Sequence, residues 1–91
     1  MSERRVAQIR EALETNLKPL TLEISDDSHL HVGHAGAREG KGHFSVQIVA
    51  DDFEGMSLIK RHRTVYGALG SLMETDIHAL SIDARAPGES A

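Results

Sequence analysis

Histidines carry most of the chemistry available to this 91-residue chain, which has six of them. One glycine-rich stretch holds His29, His31 and His34, and His43 follows at its end. A neutral imidazole can bind iron or another transition metal, and an ordinary histidine pKa of about 6.5 keeps that form available near neutral pH. These residues are therefore candidate metal ligands, provided that the surrounding elements bring them together. The alternative is that they are solvated polar residues of a loop.

The composition of the chain excludes or disfavours several other classes of function. The chain has no cysteine, which excludes disulfides, catalytic thiols and a thiolate metal site made by this chain alone. A net charge of −4 disfavours non-specific phosphate binding, and two Phe, one Tyr and no Trp leave little for base stacking. The apolar runs are too short for a membrane span, and the charged start does not resemble a signal peptide. We therefore expect a cytoplasmic protein with no membrane contact.

A catalytic triad is not expected either. Ser28 lies next to His29 and follows Asp26 and Asp27, which superficially offers a nucleophile, a base and an orienting carboxylate. All of them fall within one flexible stretch, so they have no scaffold to fix their mutual geometry. A domain of this size also has little room for a deep cavity. We predict that the protein is not an enzyme.

Apolar residues at spacings of three and four predict two helices. The first begins after Ser2, a candidate N-cap, and the second begins after Ser57. The predicted apolar stripe of the second helix comprises Leu58, Ile59, His62, Val65, Tyr66, Leu69, Leu72 and Met73. We expect Gly67 and Gly70 to weaken this helix and to allow close packing on a sheet.

Alternating apolar residues predict three strands, at residues 20–25, 44–48 and 79–85. The resulting order is α-β-β-α-β, which predicts an α+β fold with a three-stranded mixed sheet. We assign residues 1–85 to a single domain and residues 86–91 to a flexible tail.

This topology brings distant histidines to one edge of the sheet. The first two strands form an antiparallel hairpin, and the helical crossover makes the second and third strands parallel. The long hairpin loop therefore enters the second strand at the end where the third strand starts, next to His78. We expect His78 to lie beside His43 and the loop histidines. Because His78 has the parity of Leu80 and Ile82, we also expect it to be partly buried at the margin of the packed face.

Five segments of the sequence carry a family resemblance. They are Ser28-His29-Leu30-His31, Gly42-His43-Phe44, Phe53-Glu54-Gly55, Lys60-Arg61-His62-Arg63-Thr64-Val65-Tyr66 and Ile77-His78-Ala79-Leu80. In order and spacing they resemble the BolA family over residues 3–85. The resemblance implies a domain similar to class II KH domains and a monothiol glutaredoxin as the partner.

The resemblance also implies a shared 2Fe–2S cluster. In such heterodimers the cluster is held by a glutaredoxin cysteine, a glutathione thiol and histidine from the BolA side. The matching ligands here are His78 and one loop histidine, His31 first and His34 second. No cofactor is expected in the isolated chain, which we expect to be a monomer or a weak homodimer. Without the resemblance, the sequence pattern favours His78 as a hydrogen-bonding residue at a strand end.

Transcription regulation is a second function described for some family members. The turn at Phe53–Gly55 and the basic residues Lys60, Arg61 and Arg63 would then contact DNA. An ordinary solvated basic face is the alternative interpretation, and we expect His62, which lies among these residues, to be packed. A third possibility is an interaction domain that binds only another protein, without metal.

Overall fold

The computed structural model describes residues 2–27 and 42–89. In chain order its elements are α1 (Ser2–Asn16), β1 (Pro19–Asp26), β2 (Gly42–Ala50), a 3-10 turn (Asp51–Phe53), α2 (Leu58–Leu69), α3 (Leu72–Thr75) and β3 (Ile77–Arg85). The predicted α-β-β-α-β order is confirmed. The short helix α3 is an addition, because the sequence pattern runs α2 and α3 together.

The three strands form one mixed sheet with β2 in the centre. Strand β1 pairs with β2 antiparallel and β3 pairs with β2 parallel, as the hairpin and the crossover predict. In this register Leu22 lies opposite Ile48, and Ile48 lies opposite Ala84. The α+β fold and the mixed sheet predicted from the sequence are therefore correct.

The core lies between the helices and one face of the sheet. Its buried apolar residues are Ile9, Leu13, Leu17, Phe44, Val46, Ile48, Ala50, Phe53, Val65, Leu69, Ile77, Ala84 and Ala86. The opposite face of the sheet carries exposed polar side chains, including Glu23, Gln47 and Ser81. This arrangement follows from the alternation of apolar and polar residues along each strand.

The predicted apolar stripe of α2 is wrong at three positions. Leu58, Ile59 and Tyr66 are exposed, by 67%, 64% and 41%, because only the side of the helix that holds Val65 and Leu69 faces the core.

The role predicted for the two glycines of α2 is also wrong. A Cβ on either Gly67 or Gly70 would meet nothing within 4 Å, so neither permits close packing on the sheet. Gly70 instead ends α2: its φ is +57°, and its N–H donates to the carbonyl oxygen of Tyr66 at 3.1 Å.

Two residues after β3, Ala86 and Glu89, make contacts with the rest of the domain. Ala86 is 1% exposed, and its N–H donates to Oε1 of Glu89 at 3.0 Å. The carboxylate of Glu89 also accepts two hydrogen bonds from Arg61, at 2.7 and 2.8 Å. The packed part of the chain thus continues past the predicted boundary at residue 85.

Candidate functional site

Two histidines meet where β2 and β3 start. The ring centroids of His43 and His78 lie 5.1 Å apart, with their planes tilted by 52°. His43 is 6% exposed, whereas His78 is exposed. We call this part of the molecule, with His43 and His78 at its centre, the histidine edge. The parallel pairing of β2 and β3 accounts for the contact, so this part of the predicted convergence is correct.

The orientation predicted for His78 is wrong, and an irregularity in the sheet explains why. Gly42 pairs with Ile77 and His43 pairs with Ala79, so the register shifts and His78 is the extra residue on β3. Ile77 takes the buried position, and His78 is exposed instead of partly buried. Such bulges re-aim a side chain that strict alternation would direct elsewhere. Alternation in the sequence cannot reveal a register shift of this kind.

The structure fixes the last described residues before the loop. The N–H of Asp27 donates to the carbonyl oxygen of His43 at 2.7 Å. Its carboxylate accepts hydrogen bonds from the hydroxyls of Ser25, at 3.0 Å, and Ser45. Asp27 is therefore tied both to its own strand and to β2 beside the histidine edge.

The first described residue after the loop is fixed at the same edge. The N–H of Gly42 donates to the carbonyl oxygen of Asp76 at 3.0 Å, two residues before His78. A hydrogen bond from Thr75 and an ion pair with Arg5, whose Nε lies 3.1 Å from Oδ2, hold the pKa of the Asp76 carboxyl below its usual value. These contacts tie α1, the start of β2 and the turn before β3 together.

The loop histidines lie outside the described residues. His29, His31 and His34 fall between Asp27 and Gly42, so their part in the predicted site stays a prediction. Within the described ranges, no group of three or more histidine or carboxylate side chains is arranged to hold a metal ion.

Arg61 is occupied within the chain. Its Nε donates to the carbonyl oxygen of Met56 at 3.1 Å, and its Nη1 donates to that of Ala84 at 3.0 Å. Both Nη atoms also donate to Glu89, as described above. We call this set of contacts the arginine clamp. It joins the turn before α2, the end of β3 and the residues that follow.

The other residues of the predicted DNA contact are divided between the surface and the core. Lys60 and Arg63 are exposed on α2. Phe53, in the turn that was expected to contact DNA, is completely buried and belongs to the core. His62 is half-buried as predicted, and its Nε2 has no hydrogen-bond partner among the described residues.

Comparison with known proteins identifies the family. A family profile described as BolA-like protein matches residues 13–89. The chain belongs to the BolA family. The BolA domain of SufE1 from Arabidopsis thaliana has the same fold: the TM-score is 0.83 at 45% sequence identity, covering 94% of this chain and 95% of that one.

Two curated BolA relatives come from the same plant. The chain is 46% identical over 91 residues to protein BOLA1, chloroplastic, and 46% identical over 87 residues to SufE-like protein 1, chloroplastic/mitochondrial. These alignments cover 97% and 90% of this chain but only 57% and 24% of the two relatives. Because both names place the relatives in organelles, the cytoplasmic location stays a prediction.

In this BolA domain the sequence pattern groups His43 with the loop histidines as a candidate ligand and does not single it out. The structure places its ring against that of His78. Its position at the first paired residues of the central strand, next to the start of β3, is the signal that marks it. The described part of the chain contains no helix that is long and apolar enough to cross a membrane.

Proposed function

We propose that this protein is an adaptor in iron–sulfur cluster handling that pairs with a monothiol glutaredoxin. The observation that carries the proposal is the exposed imidazole of His78 at the histidine edge, in a BolA-family chain that has no cysteine. Proteins of this family generally act as regulators or adaptors. An adaptor of this kind needs no resident cofactor of its own and no catalytic residues.

The proposed ligands from this chain are His78 and one loop histidine, with His31 the first candidate and His34 the second. Two observations support a ligand from the loop. Asp27 and Gly42, which precede and follow the loop, are both hydrogen-bonded at the histidine edge. The loop therefore begins and ends beside the strand start that carries His78, which limits the distance that a loop ligand has to span.

The donor set at this edge fits an iron–sulfur cluster shared with a partner. Imidazole nitrogen is an established cluster ligand, but histidine from this chain cannot complete the four ligands that a 2Fe–2S cluster requires. A thiol from the glutaredoxin and one from glutathione would supply the rest. When bound, the cluster provides one-electron chemistry, and ligation by histidine in place of thiolate raises its reduction potential.

The test is to reconstitute the complete chain with a monothiol glutaredoxin, glutathione, iron and sulfide. We expect His78→Ala to change the visible absorption and circular dichroism of the cluster and to shorten its lifetime, because one ligand is lost. His62→Gln is the matched control, since it removes an imidazole from α2 and leaves the histidine edge intact. A cluster spectrum that is the same in His78→Ala and wild type would refute the ligand assignment.

The second ligand is tested by His31→Ala and His34→Ala, made separately. We expect His31→Ala to reproduce most of the His78→Ala effect and His34→Ala to have the smaller effect. The reverse order would transfer the assignment to His34. If neither variant changes the cluster spectrum, this chain supplies no ligand from the loop.

A further inference from the structure

The exposed position of His78 raises the question of what orients its ring. A side chain on a bulge at the start of an edge strand has more rotamers available than one packed in a core, and fixing it on binding costs conformational entropy. Metal-ligating histidines are normally held in one orientation by a neighbouring group. At the histidine edge the neighbouring ring is that of His43, 5.1 Å away.

His43 is itself well placed to be a rigid support. It lies on the central strand, is 6% exposed and is paired in register with Ala79 on β3. Its carbonyl oxygen accepts the 2.7 Å hydrogen bond from Asp27, and Asp27 is held in turn by two serine hydroxyls. The His43 ring is thus buried on a backbone that is hydrogen-bonded on both sides. It can therefore limit the motion of the exposed His78 ring beside it.

We propose that His43 is a positioning residue: its buried ring holds the His78 imidazole in the orientation in which that imidazole binds metal. The proposal rests on the function proposed above and adds a second residue to it. A ligand shared with a partner protein has to be accessible to the partner. His78 is accessible and His43 is not. In this proposal His78 therefore binds the metal, and His43 orients the His78 ring.

Two substitutions separate support from ligation. His43→Phe keeps a planar ring in the buried position and removes both nitrogens, whereas His43→Ala removes the ring. If the ring is what matters, the Phe variant behaves like wild type and the Ala variant does not. If His43→Ala does not fold, His43→Val is used, because a short β-branched side chain suits a central strand and does not replace the ring.

The first measurement uses the free chain and needs no cluster. Carbon-13 relaxation of the His78 ring, measured by NMR, reports its mobility. We expect wild type and His43→Phe to show a restricted His78 ring and His43→Ala to show a mobile one. A His78 ring that is equally mobile in all three proteins would overturn the proposal, even if the proposed function is correct.

The second measurement uses the complex with monothiol glutaredoxin and glutathione. We expect His43→Ala to shorten the cluster lifetime by about 10-fold or more, because removing a residue that orients a metal-ligating histidine typically weakens metal binding by about 10–100-fold. His43→Phe should restore the lifetime, the visible circular dichroism and the reduction potential. If Phe is as defective as Ala, His43 acts through a nitrogen and the positioning role is refuted. If wild type forms no cluster, the proposed function fails, and the mobility of the His78 ring still decides the role of His43.

Discussion

The two ends of β3 lie beside polar side chains that are used in opposite ways. At the start, the His78 imidazole is exposed and rests near the buried ring of His43. At the end, the Arg61 side chain is 13% exposed, and its guanidinium donates to Ala84, Met56 and Glu89. Both His78 and Arg61 belong to segments that carry the family resemblance. The first is exposed to solvent, and the second is used within the chain.

This difference shows that residue type and motif membership do not separate an exposed side chain from one that is bonded within the chain. A guanidinium has five N–H donors, and the arginine clamp directs four of them at two carbonyl groups and one carboxylate. Such a group gives little to a phosphate unless the contacts that fix the chain are broken. The His78 imidazole, in contrast, is exposed, so a ligand can reach it from solvent.

The largest expected effect comes from Ile77, which fills the core directly beneath the histidine edge and is 2% exposed. We expect Ile77→Ala to lower the free energy of unfolding by about 2–5 kcal/mol, because a buried Ile→Ala change loses transfer energy and leaves a cavity. Urea denaturation followed by circular dichroism measures this value.

A comparison with Ile59→Ala tests the same point, since Ile59 is exposed and should change stability very little. An equal loss in the two variants would mean that the bulge does not bury Ile77. Ile77, next to His78, would then contribute no more to stability than an exposed residue of α2.

The second prediction concerns the arginine clamp. We expect Arg61→Ala to lower the thermal unfolding midpoint by several degrees, because three segments of the chain lose their common donor and two backbone carbonyl groups lose a partner. Arg63→Ala is the matched control, since Arg63 is exposed on the same helix. Equal thermal midpoints for the two variants would mean that the contacts of Arg61 do not stabilise the fold.

These residues also show how far the sequence predicts the structure. Periodicity and connection rules give the element order, the mixed sheet and the end of β3 that meets the hairpin loop, because they depend on local patterns and on chain topology. They do not give the exposure of His78, since a register shift of one residue reverses the faces of a strand.

The arginine clamp cannot be predicted from the sequence for a different reason. A basic run such as Lys60–Arg63 looks the same in sequence whether its donors face solvent or the chain. The partners of Arg61 come from residues 56, 84 and 89, and no local pattern relates those positions. The contacts of Ala86 and Glu89 are equally unpredictable, because a short polar segment after the last strand has no apolar pattern of its own.

The third prediction uses the pH dependence of the clamp. Hydrogen bonds from Arg61 and from the Ala86 N–H lower the pKa of Glu89 to about 2, from an ordinary value of 4.5. A carboxyl whose pKa is lowered by folding contributes stability that is fully present above the unfolded value and is lost as the pH falls towards the folded value. We therefore expect wild type to exceed Glu89→Gln in thermal midpoint at pH 6 and this difference to shrink between about pH 4.5 and pH 2.

Other carboxyl groups also titrate in that range, including Asp76, whose pKa is lowered as well. They are present in both proteins, so the difference in midpoint between wild type and Glu89→Gln isolates the clamp. A difference that stays constant from pH 6 to pH 2.5 would mean that the charge of Glu89 does not contribute to the clamp.

The smallest expected effect is on DNA binding, the alternative function that the basic segment of α2 suggests. If α2 binds duplex DNA, the clamp leaves Lys60 and Arg63 to make the phosphate contacts. The slope of log K against log salt is then about −1.8 for two contacts, against about −2.7 if Arg61 also takes part. Because the chain carries a net charge of −4, we expect this binding to be weak and insensitive to base sequence.

Titration of duplex DNA at several salt concentrations measures the slope, with the double variant Lys60→Ala/Arg63→Ala as the comparison. We expect the double variant to lose what binding there is, while its cluster spectrum with glutaredoxin and glutathione stays that of wild type. A slope near −2.7 would show that Arg61 leaves the clamp to bind DNA. The end of β3 would then lie beside a binding surface, as is proposed for its start, and the contrast between the two ends would no longer hold.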